Sequence, residues 1–81
     1  MSYNELDLIV SRANQQLATE PGFLGCSIVE RGPPHVVAYE FDNGPNAEQF
    51  KVRRESVSDS SGLQYKIDDQ QPNIVLERRI R

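Results

Sequence analysis

The apolar residues of this 81-residue chain change their spacing once, at Pro21-Gly22, from the period of a helix to the alternation of strands. Before that point apolar side chains recur every three or four residues, at Tyr3, Leu6, Val10, Ala13 and Leu17. This spacing forms one face of an amphipathic helix about four turns long. Ser2 and Glu5 fit the capping box that begins such a helix, and proline followed by glycine ends it. The sequence therefore predicts one N-terminal helix.

The rest of the chain alternates as half-buried strands do. Runs of alternating residues, separated by turn-forming residues, predict strands over 23–29, 35–41, 63–67 and 74–81. Short connections between neighbouring strands imply an antiparallel meander. The helix needs an apolar surface, so we expect it to pack on one face of the sheet. The predicted fold is α+β, with one N-terminal helix packed on a four- to five-stranded antiparallel sheet, and residues 1–81 form a single domain.

The segment 47–54 is ambiguous between strand and helix. Phe50 and Val52 alternate with polar residues as in a strand, whereas Ala47, Phe50 and Arg54 fit one side of a short helix. We favour the strand, which would be the third of five. The polar residues that follow, 56–62, are predicted to form a loop.

Composition limits the classes of protein that this chain can belong to. Hydrophobic residues make up 37% and the formal net charge is −3, which disfavours general binding to nucleic acid or anionic lipid. The single cysteine, Cys26, excludes an intramolecular disulfide, so we expect the reducing cytosol. There is no apolar run of 18 residues, and the N-terminus does not resemble a signal peptide. We therefore expect a cytoplasmic protein without a membrane segment.

No constellation of residues in the sequence indicates catalysis, a metal or a cofactor. His35 is the only imidazole, and it lacks the partners that a general base needs. Cys26 alternates in register with Leu24 and Ile28, which predicts a buried and inert thiol. Asp68-Asp69 is interpreted as a turn rather than a pair of ligands, since no further ligands accompany it. We predict that the protein is not an enzyme.

The basic residues are concentrated in the last part of the chain. Residues 1–50 carry two cations and seven anions, whereas residues 51–81 carry seven cations and five anions. We expect Lys51 and Arg53 to share one face of the third strand, and Arg79 and Arg81 to share one face of the last. The alternative is a solvated face whose cations pair with nearby glutamates. The candidate partner-binding residues are Lys51, Arg53, Arg78, Arg79 and Arg81.

The last predicted strand, 74–81, ends at the last residue of the sequence and is treated as an edge of the sheet. Its arginines would protect that edge from unwanted pairing. The same edge could instead accept a strand from a second copy, so a homodimer through the last strand is a further hypothesis.

These observations favour a non-enzymatic protein-interaction module: a small adaptor, inhibitor or accessory subunit that binds another protein. Compact acidic proteins of this kind occur among phage and mobile-element genes, and such an origin is one expectation. The alternative is a nucleic-acid-associated regulator that uses the basic C-terminal part, although nucleic acid is the less favoured partner at this net charge.

Overall fold

The computed structural model of the protein describes residues 3–32, 34–57 and 62–79. These residues form the elements α1 (Tyr3–Gln16), β1 (Phe23–Arg31), β2 (His35–Phe41), α2 (Gly44–Val57), β3 (Leu63–Ile67) and β4 (Ile74–Arg79). The strands build one antiparallel sheet in the meander-like order β1-β2-β4-β3. The predicted α+β class is confirmed, with an N-terminal helix and an antiparallel sheet of four strands.

The first helix follows the predicted apolar spacing. Leu6 and Ala13 are buried in the core, and Val10 and Leu17 pack against it. The helix lies mainly against β1. Its predicted cap, Ser2, lies outside the described residues, as do residues 58–61 of the predicted loop.

The segment 47–54 lies within helix α2, so our preference for a third strand there is wrong. The helix begins after Asn43, whose side-chain Oδ1 accepts a hydrogen bond of 2.9 Å from the backbone N–H of Asn46. An asparagine in this position satisfies one of the free N–H groups of the first turn. Pro45 is also tolerated in the first turn of the helix, because the backbone N–H that proline lacks would have no acceptor within the helix there. The sequence Asn43-Gly44-Pro45 is therefore a helix start, although it also suits a turn.

The inner side of α2 explains why its apolar pattern is weak. Ala47 and Phe50 are buried, but the next inward position is Arg54. Its guanidinium carbon lies 5.0 Å from the centroid of the Phe50 ring and 5.9 Å from that of Tyr39. A cation over aromatic rings occupies the place that an aliphatic side chain would normally fill.

The last strand is an interior strand, so the prediction that it forms an edge is wrong. Helix α2 follows β2 and packs mainly against β3, and the β3-β4 hairpin then pairs through β4 with β2. The edges of the sheet are β1 and β3. A homodimer through the last strand would need unpaired backbone groups, and β4 is paired on both sides.

Both helices pack on the same face of the sheet, and the core lies between them and that face. The strands contribute side chains from alternate positions: Cys26, Val37, Tyr39, Phe41, Tyr65 and Val75. The Phe50 ring contacts those of Tyr39 and Phe41, with centroids 5.0 Å apart in each pair. No helix in the described part of the chain covers the opposite face.

The outer edge of β1 is irregular and is bonded to α1. Its register with β2 shifts twice, between Phe23 and Gly25 and between Ile28 and Glu30. At Cys26, which lies between the shifts, the side chain of Asn14 makes two hydrogen bonds to the strand backbone. Asn14 Nδ2 donates to the Cys26 carbonyl at 3.1 Å, and the Cys26 N–H donates to Asn14 Oδ1 at 2.8 Å. Asn14 therefore occupies the backbone N–H and carbonyl of Cys26, with which a further strand would otherwise pair.

Candidate functional site

The structure does not place the candidate basic residues on the strand faces that the sequence predicted. Lys51 and Arg53 lie on α2 rather than on a strand. Arg78 and Arg79 are neighbours on β4, so they point to opposite faces of the sheet. Arg81, the fifth candidate, lies outside the described residues.

Three of the four described candidates are paired with carboxylates. Lys51 Nζ lies 3.0 Å from Glu55 Oε1, and Arg53 forms an ion pair with Glu20. Arg79 Nε lies 3.4 Å from Glu77 Oε1, with the Arg79 side chain only 17% exposed. Arg78 is exposed and makes no ion pair with another described residue.

Strand β4 buries its less apolar side, which alternation of the sequence alone would place in solvent. Ile74, Leu76 and Arg78 form its more apolar side, and alternation alone would place that side inward. The structure instead turns Val75, Glu77 and Arg79 toward the helices. The reason is the register with β2, which places Glu77 opposite Val37 and Val75 opposite Tyr39, both of which are buried.

Glu77 is a buried carboxylate, one oxygen of which is bonded by two tyrosines, whereas its Oε1 has no hydrogen-bond partner among the described residues. Its side chain is 1% exposed, and its Oε2 accepts hydrogen bonds from the Tyr65 hydroxyl at 2.7 Å and the Tyr39 hydroxyl at 3.1 Å. Burial raises the pKa of the Tyr39 hydroxyl, and the Glu77 carboxylate acts in the same direction. We call these three residues the Glu77 cluster. Sequence reasoning missed it because the cluster depends on strand register.

The Glu77 cluster lies in the core of the domain. The Glu77 side chain is 1% exposed, and the hydrogen bonds to its Oε2 offset part of the cost of burying it. Burial raises the pKa of the nearby Cys26 thiol from 9.0 to about 12, with Glu77 acting in the same direction, so the thiol stays protonated at neutral pH. The ring atom Nδ1 of His35 is buried and has no hydrogen-bond partner among the described residues.

The uncovered side of the sheet has a different character, and we call it the open face. Strand alternation and register place these side chains on it: Ser27, Glu30, Val36, Ala38, Glu40, Gln64, Lys66, Ile74, Leu76 and Arg78. Its centre, on β2 and β4, is apolar: Val36, Ile74 and Leu76 are half-buried, and Ala38 is 9% exposed. Charged side chains lie toward its margins.

A groove follows the open face toward strand β3. Its volume is about 610 Å³, and its walls include Val36, Leu76 and Arg78 of the central strands together with Gln64 and Lys66 of β3. The groove therefore joins apolar surface in the centre of the sheet to polar and charged groups at the β3 edge, where Glu55 of α2 also lines it.

Comparison with known protein families, with curated proteins and with solved structures finds no match. Neither helix in the described ranges combines the length and apolarity needed to cross a membrane. Among residues 3–32, 34–57 and 62–79, no three His, Cys, Asp or Glu side chains are grouped so as to hold a metal ion.

Proposed function

We propose that the protein is a non-enzymatic interaction protein, a small adaptor, inhibitor or accessory subunit, that binds another protein through the open face. The observation that carries this proposal is the apolar centre of a sheet face that no described helix covers. An antiparallel sheet with one packed face normally presents alternating polar residues on the other. Val36, Ala38, Ile74 and Leu76 depart from that pattern.

The surroundings of these apolar residues support a protein partner. An interface that forms and dissociates has an apolar centre and a polar margin that remains partly solvated. The open face has this arrangement, with Glu40 and Arg78 beside its apolar centre. Complete burial of an exposed leucine contributes about 1.5–3 kcal/mol, and covering the remaining surface of the half-buried Leu76 would contribute part of that before the costs of association are subtracted.

The alternative function, binding of nucleic acid, receives less support. Phosphate contacts need several cations on one surface. Lys51 and Arg53 lie on α2 and Arg79 lies on β4, and all three are paired with carboxylates. The cytosol is the compartment that we propose, because a buried free thiol such as Cys26 suits reducing conditions.

Substitution at the centre of the open face tests the proposed function. We expect Leu76→Glu to abolish retention of partner proteins from an extract of the native source on the immobilised protein. The matched control is Val52→Glu on α2, where the native side chain is 53% exposed and lies away from the open face. Mass spectrometry identifies the retained proteins, and thermal denaturation checks that both variants fold. Equal retention by wild type and Leu76→Glu would contradict the proposal.

A further inference from the structure

The charges of the open face are divided between its two halves. The acidic side chains Glu30 and Glu40 lie on β1 and β2. The basic side chains Lys66 and Arg78 lie on β3 and β4. Neither glutamate forms an ion pair with another described residue, and Lys66 pairs only with an exposed aspartate 3.7 Å away. The apolar centre thus separates an acidic half from a basic half.

This division makes the open face complementary to a second copy of itself. A two-fold axis parallel to the strands, above the boundary between β2 and β4, places the acidic half of each copy over the basic half of the other. An axis perpendicular to the strands would instead place acid over acid and base over base. The charge pattern therefore selects one of the two ways of stacking the sheets.

The register of the strands shows which side chains this arrangement brings together. Ala38 and Leu76 are direct cross-strand neighbours, so the axis places Ala38 of one copy over Leu76 of the other. Glu30 and Arg78 both pair with Val36, and they therefore lie in the same row across the sheet. Each Glu30 then faces the end of the sheet that carries Arg78 in the second copy.

We propose that the occupant of the open face is a second copy of this chain, which forms a two-fold dimer with the two sheets stacked face to face. This inference rests on the proposed function, since it names the partner of the same surface. The sheets would lie about 10 Å apart and cross at about −30°, as in other aligned sheet packings. The apolar centres meet in the middle, and the acidic half of each copy lies over the basic half of the other, with Arg78 over Val36 and Glu40 over Ile74 in the second copy.

The size of the face predicts a weak and reversible dimer. Four strands of about five residues span roughly 19 by 17 Å, from the usual spacing between strands and rise per residue. Such a face is smaller than the roughly 800 Å² per partner of a standard stable interface. We therefore expect dimerisation over the micromolar to millimolar range, and weaker dimerisation at high salt because the marginal charges are solvated.

Paired charge reversals test the dimer and its axis by sedimentation equilibrium. We expect wild type to dimerise with increasing concentration, whereas Glu30→Lys/Glu40→Lys and Lys66→Glu/Arg78→Glu each remain monomeric. An equimolar mixture of the two variants should dimerise again, because one contributes two basic halves and the other two acidic halves. Glu48→Lys, on an exposed position of α2, should dimerise as wild type does. Circular dichroism confirms that each variant is folded.

Other outcomes would overturn the inference, and they show whether the proposed function fails with it. A wild type that stays monomeric at millimolar concentration refutes the second copy. If Leu76-dependent capture of a different protein persists in that case, the proposed function stands. Self-association that survives both reversals, or that mixing fails to restore, refutes the stacked dimer. Dimerisation restored by mixing, together with no capture of any other protein, supports the second copy and refutes the adaptor role.

Discussion

The most unusual single residue is Glu77, a carboxylate in the core of an 81-residue chain. A small domain has little apolar burial to offset the desolvation of a charged group. The hydroxyls of Tyr39 and Tyr65 supply two hydrogen bonds to one oxygen, and Arg79 lies beside the other. These partners are distributed over three strands, so the carboxylate connects β2, β3 and β4 from within.

Removing one tyrosine hydroxyl at a time measures what the Glu77 cluster contributes to stability. We expect Tyr65→Phe to lower the free energy of unfolding by about 1.5–3 kcal/mol, the usual range for a hydrogen bond to a charged group. Tyr39→Phe should cost less, because its bond is longer, 3.1 Å against 2.7 Å. Urea denaturation gives both values. A change below about 0.5 kcal/mol in both variants, the size of an ordinary surface substitution, would show that the hydroxyls contribute little.

The raised pKa of Cys26 predicts how the stability of the protein changes at alkaline pH. Its pKa is 9.0 when exposed and about 12 in the folded protein, so between these values the unfolded chain loses the thiol proton and the folded chain keeps it. The stability that the protonated thiol contributes is complete below pH 9.0 and is lost as the pH rises toward about 12. Cys26→Ala should flatten this decline relative to wild type, as measured by urea denaturation at several pH values. Identical slopes would contradict the raised pKa.

At the scale of elements, the position of α2 determines the topology. A strand in its place would have continued a simple meander and left the last strand at an edge. The helix packs chiefly on β3, and the returning β4 pairs with β2. The open face owes its apolar centre to the same arrangement, because the register with β2 turns Ile74 and Leu76 away from the helices.

The cap of α2 is testable by a single substitution. Asn43→Ala should destabilise the protein by about 0.5–2 kcal/mol, because the N–H of Asn46 loses its acceptor. Asn43→Asp keeps an acceptor oxygen and should stay near wild type. Thermal or urea midpoints distinguish the two variants. If Asn43→Ala and Asn43→Asp behave alike, the side chain does not cap the helix.

The spacing of apolar residues predicted α1 and the four strands, because local sequence determines these elements. The spacing of Leu6, Val10 and Ala13 defined α1, and alternation located the four strands. The prediction for the α2 segment was wrong because Phe50 and Val52 alternate with polar residues as in a strand, whereas in the structure Phe50 is buried and Val52 is 53% exposed on a helix. The Glu77 cluster and the open face depend on which strands are neighbours and on their register. Those facts follow from the long-range docking of the β3-β4 hairpin.

At the scale of the whole molecule, the charge distribution separates the two classes of partner. The net charge is −3, and three of the four described basic candidates are paired with carboxylates. We therefore expect no shift of random DNA or RNA in gel electrophoresis at low salt, where electrostatic attraction is strongest. A shift that disappears between about 50 and 200 mM salt would instead favour phosphate contacts and the regulator function.

The two hydrogen bonds from Asn14 to Cys26 have a consequence for how far self-association can proceed. A free strand edge permits open-ended growth, in which each added molecule presents a new edge and fibres result. Here the middle of the β1 edge is already bonded by the chain's own helix, and the register shifts on either side of Cys26 distort the rest. Open-ended growth by strand addition at the β1 edge is therefore disfavoured.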